Sequence, residues 1–151
     1  MSKAVESTPA VRIARDCFAV RVRLLNRIVT RIYDEALRPV GMTANQMNIL
    51  AVLENMTEAQ PSDLCRVLYM EKSTVSRNAE RMRQQGWLRE RPGHDARTVL
   101  LATTARGRAL LIRAMPLWED AQEQVCKLLG ESGAASVARL AQPFFPPGNK
   151  R

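Results

Sequence analysis

The chain has 151 residues, 46% of them apolar and 25% charged, the balance of one globular domain rather than a disordered tail protein. Its 23 Lys and Arg residues outnumber 15 acidic ones, for a net charge of +8, which makes a polyanionic partner plausible. No apolar run approaches the roughly 20 residues of a membrane-spanning helix, and the stretch from Met1 to Arg15 holds no apolar signal-peptide block; a cytoplasmic protein without membrane attachment is expected.

Ser7-Thr8-Pro9 reads as a helix start, a capping hydroxyl followed by a proline that the first helical position tolerates. Ala14, Phe18, Val22, Leu25, Val29, Ile32 and Ala36 then recur at helical spacing, with a second stripe of Ile13, Cys17, Val20, Leu24 and Ile28 beside it. One continuous helix is expected until Pro39 and Gly41 stop it, about 45 Å long at 1.5 Å per residue, which suggests an arm or a dimer interface. Thr43 caps a second helix ending near Asn55, and a short helix runs from Pro61 or Ser62 to about Tyr69. After a tight turn at Met70-Glu71, a helix runs from Ser73 to Gln85, with Val75, Ala79 and Met82 inward and Gly86 as its stop.

Two short helices joined by a tight turn, the second strongly basic, form the pattern of a helix-turn-helix. Trp87 to Arg91 and Thr98 to Leu101 read as strands around the turn formers Pro92 to Ala96, so a β-hairpin, or wing, follows. Thr103 or Thr104 opens a second long helix, expected to kink at Pro116 and to close at Gly130. Ser132 caps a last helix to about Gln142. The fold expected is mainly α with a small β-hairpin wing. Residues 9–38 and 104–142 form a helical dimerisation region, 43–103 a winged helix-turn-helix, and 143–151 an irregular tail whose Phe144 and Phe145 pack on a partner chain.

Charge follows the same division. Residues 66–108 hold 10 basic and 4 acidic side chains, whereas 39–65 hold none and 3. Cys17, Cys65 and Cys126 are an odd set without paired metal-ligand spacing, and His94 is the one histidine. Neither a metal nor another cofactor is expected. Nucleophile-elbow, phosphate-loop and zinc-protease motifs are absent from the sequence, so an enzyme is not expected.

The segment Lys72-Ser73-Thr74-Val75-Ser76-Arg77, continuing to Gly86-Trp87-Leu88, then Asp95-Ala96-Arg97 and Thr104-Ala105-Arg106-Gly107, resembles the MarR (multiple antibiotic resistance regulator) family in order and spacing. The resemblance spans roughly residues 9–142 and implies a winged-helix transcriptional regulator. It implies Arg97 as the wing arginine, Asp95 as a structural residue that holds a nearby guanidinium, and a ligand cleft between the dimerisation helices and the winged domain. That cleft would be walled by Val22, Met47, Leu50 and Met115 and would hold a small aromatic or phenolic effector. Two departures are a Thr103-Thr104 end to the second strand, where the family usually has Leu-Thr, and Asn78 where it usually has an aliphatic residue.

Ser73, Thr74, Ser76 and Arg77 occupy the first turns of the recognition helix, where side chains meet base edges, and Arg77 can bind guanine bidentately. Asn78, if it faces the groove, would read adenine. Arg91, His94 and Arg97 surround the hairpin tip, where a minor groove attracts arginine, while Arg81, Arg83 and Arg89 suit phosphate or solvent. The bland reading makes Ser73 and Thr74 caps and the arginines solvated. The function expected is a homodimeric, sequence-specific regulator of double-stranded DNA, binding an inverted-repeat operator as a repressor released by a ligand. The alternatives are a redox switch at Cys17, weighed against Cys17 as a small core residue, and a basic winged-helix module that binds an acidic protein.

Overall fold

A computed structural model describes residues 8–95 and 98–145. Helix α1, Pro9–Asp16, opens with the Thr8 hydroxyl accepting from the Val11 N–H at 3.4 Å. The expected single helix is in fact two. Cys17 adopts extended angles (φ −69°, ψ 116°), and α2 starts afresh at Phe18–Leu37. The break leaves the Arg15 carbonyl without its helical partner, and the Arg21 guanidinium donates to it instead. A 3-10 turn at Arg38–Val40 closes on Gly41, whose φ of 68° suits glycine.

Helix α3, Ala44–Met56, begins with a capping box: the Gln46 N–H donates to the Thr43 hydroxyl, and the Thr43 N–H to the Gln46 side chain. Asp34 of α2 accepts from the Ala44 N–H at 2.8 Å and fixes the α2–α3 corner. Helices α4, Pro61–Leu68, and α5, Lys72–Gln84, follow. Strands β1, Leu88–Pro92, and β2, Val99–Thr103, pair antiparallel from Leu88 opposite Thr103 to Pro92 opposite Val99. Ala59 adds a bridge to Leu101, exchanging both backbone hydrogen bonds at 3.0 and 2.9 Å.

Helix α6, Ala105–Ala141, is capped by Thr104, whose hydroxyl accepts from the Gly107 N–H and donates to the Gly86 carbonyl. Its backbone leaves helical angles at Gly130 (φ 68°), where the sequence closes one helix before the last begins, and Pro116 lies within the first part with helical angles. A 3-10 turn, Gln142–Phe144, ends the described chain. Gly107 is required by packing, because a Cβ there would lie 2.3 Å from the Trp87 carbonyl oxygen.

The core lies within the winged region and the first part of α6. Leu37, Ile49, Leu50, Leu53, Leu64, Val75, Met82 and Ala114 have no exposed surface. The stripes of α1 and α2 are different: Ile13, Phe18, Val22, Leu24 and Ile28 all stand exposed. Their expected burial is not met within one chain. Among the described residues no helix is long and apolar enough to cross a membrane.

Candidate nucleic-acid interface

The turn between α4 and α5 is set by Tyr69, which takes left-handed angles (φ 52°) while the Met70 N–H donates to the Cys65 carbonyl at 3.1 Å. Val75 and Met82 anchor α5 in the core. The opposite face therefore carries Ser73, Ser76, Arg77, Glu80 and Gln84, all exposed. Ser73 does not cap the helix. Entry comes one residue earlier, with Glu71 in the capping position making no side-chain cap bond, so Lys72 joins the exposed first turn.

Thr74 and Asn78 turn away from that face. Both are half-buried, and the Asn78 amide donates to the Thr74 carbonyl at 2.9 Å along the helix flank. Arg83 is held by Glu80 at 2.9 Å and stands 3.8 Å from Glu90. The hydrogen bond from Arg83 lowers the Glu80 carboxyl pKa from its ordinary value and raises that of Arg83. Arg77 and Arg81 make no side-chain ion pair or hydrogen bond among the described residues. Arg89, on β1, is exposed and likewise unpaired there.

At the wing, the Gly93 N–H donates to the Thr98 carbonyl at 2.8 Å, and the Thr98 N–H and hydroxyl both donate to Asp95. Asp95 thus braces the turn, and His94 is exposed beside it. Arg91 reaches back to Glu58 at 3.3 Å. Arg97 lies outside the described residues. On β2, the Thr103 hydroxyl is buried without a hydrogen-bond partner among the described residues.

A cavity of about 570 Å³ opens between α2, α3 and the start of α5. Asn26, Thr30 and Tyr33 line it from α2, Asn45, Met47 and Asn48 from α3, and Glu71 and Thr74 from the α5 entry, with Trp118 of α6. The Tyr33 hydroxyl donates to Gln122 of α6, and burial, followed by Cys126, raises its pKa. Of the four expected cleft residues only Met47 lines this cavity. Leu50 is sealed in the core, Val22 points outward from α2, and Met115 is exposed on α6.

Cys17 is half-buried at the α1–α2 break, beside Arg12, Ile13 and Asp16 in a surface hollow. It is only half-buried in this chain, because the stripe it shares with Ile13, Leu24 and Ile28 stands open. Phe144 meets Tyr69 of its own chain edge-on, ring centroids 6.2 Å apart, and both it and Phe145 stay largely exposed.

Comparison with known proteins agrees with this architecture. The MarR family profile matches residues 40–98. The multiple antibiotic resistance protein MarR of Escherichia coli is 25% identical over 127 residues, 83% of this chain and 88% of that protein. The transcriptional regulator MosR of M. tuberculosis, solved in complex with DNA, is 35% identical with a TM-score of 0.73, covering 85% of this chain and 96% of MosR. A MarR variant from E. coli, solved with operator DNA, shares the fold at a TM-score of 0.77 and 23% identity over 90% of this chain and 99% of that one. The chain belongs to the MarR family of winged-helix, DNA-binding transcriptional regulators.

Proposed function

We propose that the chain is a homodimeric, sequence-specific regulator that reads an inverted-repeat operator and represses until a small ligand releases it. The observation that carries the DNA half is the exposed face of α5, where Ser73, Ser76 and the unpaired Arg77 share one side of a helix anchored by Val75 and Met82. In this reading Arg77 contacts a base, Lys72, Arg81 and Arg89 contact phosphate, and the wing brings His94 and Arg91 to the adjacent groove. Arg97 belongs to the same wing set by family resemblance. Thr74 and Asn78 shape the helix flank and are not base readers.

Dimerisation is supported by the apolar side chains left exposed on α1, α2 and α6, among them Phe18, Ile28, Ile112 and Leu128. A patch of this kind marks an interface, and a two-fold axis relating two copies of α5 places half-sites about one helical turn apart. The ligand half rests on the cavity: an occupant touching Glu71 and Thr74 acts on the first turn of α5, directly behind Ser73 and Arg77. Release requires that it bind the DNA-incompetent arrangement more tightly.

Titration of duplex DNA tests the reading. A site selected from a random pool should bind with steep salt dependence and two chains per duplex. Binding to an acidic protein without preference among DNA sequences would replace it with the interaction-module reading. A second reading, redox switching, is favoured by the placement of Cys17 in a surface hollow beside Arg12 rather than in the core. It requires peroxide to release the wild type from DNA and leave Cys17→Ser bound.

A further inference from the structure

We propose that the cavity between α2, α3 and the α5 entry selects a planar aromatic cation, an amidine or protonated amine on a fused-ring body, over an aromatic carboxylate of the same shape. The proposal rests on reading this cavity as the effector site and adds the charge class of its occupant. At about 570 Å³ the cavity lies in the range of drug-sized sites. Among the described residues its lining includes one charged side chain, Glu71, and no Lys, Arg or His. That contrast is informative in a chain with 23 bases and 15 acids.

A carboxylate entering here loses water, meets no cation and faces Glu71. The start of α5 carries partial positive charge that could favour an anion. Glu71 already stands at that position, and its side chain makes no hydrogen bond or ion pair among the described residues. Its carboxylate is therefore available to an incoming N–H donor. The amides of Asn45 and Asn48 offer further acceptors, and Trp118 offers an aromatic face to a cation.

The test uses three ligands with one ring system: naphthalene-2-carboxamidine, its neutral carboxamide and its carboxylate. Calorimetry supplies affinity. The chain has two tryptophans, so fluorotryptophan labelling reports occupancy of the cavity through the Trp118 resonance. The amidine should bind at least roughly tenfold more tightly than the carboxylate, with the carboxamide between them and the gap shrinking in salt. Glu71→Gln should bring the three within about threefold, with unchanged thermal melting as the folding control. Asn48→Lys, which leaves Glu71 in place, should move the preference toward the carboxylate.

Tighter binding of the carboxylate, an amidine preference that survives Glu71→Gln, a shift confined to the Trp87 resonance, or no binding by any of the three overturns the proposal. Operator release is read separately by DNA anisotropy. An amidine that binds at Trp118 and leaves DNA affinity unchanged contradicts the effector reading and upholds the charge selectivity. A carboxylate that binds there and releases DNA does the reverse.

Discussion

The winged region and the terminal helices use apolar residues in opposite ways. Between Leu37 and Ala114 the large aliphatic side chains close on one another, with Leu50, Leu53, Leu64 and Val75 fully buried. In α1 and α2 equally apolar stripes stay open, Phe18 at 83% and Val22 at 64% exposure. Helical periodicity alone does not distinguish a face that folds against its own chain from one that awaits a second copy. The distinction comes from what each helix meets. Helix α3 is enclosed by α4, α5, β2 and α6, while α2 packs on α3 and α6 along one side only.

The contrast is broken most severely by deletion on each side of it. Leu50→Ala leaves a cavity in a closed core and should cost about 2–5 kcal/mol of unfolding free energy at every protein concentration. Phe18→Ala should leave the unfolding of a single chain nearly unchanged. It should instead weaken dimerisation, read by sedimentation across a concentration series. Equal losses of intrinsic stability for the two variants would show that the terminal helices are as self-contained as the core.

A second pair sharpens the difference within α5. Arg77→Ala should cost about 1–3 kcal/mol on the selected DNA site and relax its sequence preference. Arg81→Ala should weaken selected and random DNA by similar factors and reduce the salt slope. Arg83, held by Glu80, should matter less than either. Anisotropy titrations on both DNAs check all three.

The helix-turn-helix and hairpin were legible because their signals are local. Val75, Ala79 and Met82 mark one helical face, Gly86 marks a stop, and Gly93 to Asp95 mark a turn, although Pro92, also expected there, ends β1. The break at Cys17 was not legible, since neither proline nor glycine stands there and the apolar stripe runs through it unaltered. Its stabilising contact, Arg21 to the Arg15 carbonyl, joins residues whose types do not announce it. The cavity was only partly legible. Met47 was anticipated, but Glu71 and Thr74 reach it through the left-handed turn at Tyr69, a non-glycine in a conformation that sequence rarely signals. Lys72 was missed through a one-residue shift of the helix start.

The Thr103 hydroxyl offers a gentler probe of the core. It is buried without a partner among the described residues, so Thr103→Val should be neutral or stabilise the fold by up to about 1 kcal/mol, measured by chemical denaturation. Destabilisation would mean that the hydroxyl has a partner, such as a bound water.

The smallest effect belongs to the exposed ion pair on α5. The Arg83 hydrogen bond lowers the folded Glu80 pKa, so its stabilisation is complete above the ordinary carboxylate range and is lost as pH falls through the lowered value. Carbon-detected NMR titration should place the Glu80 midpoint below that of a free glutamate. Arg83→Ala should bring it back up.

Whether two copies of α5 read one operator is decided most directly by a single titration. The selected inverted repeat and a scrambled duplex of equal length are titrated across a salt series, with stoichiometry taken at saturation. Saturation should come at two chains per repeat, with affinity for the repeat exceeding that for the scrambled duplex by roughly 10³-fold or more, and both affinities should fall linearly on logarithmic axes as salt rises. Equal affinity for the two duplexes, or saturation at one chain per repeat, would contradict reading of one operator by two copies.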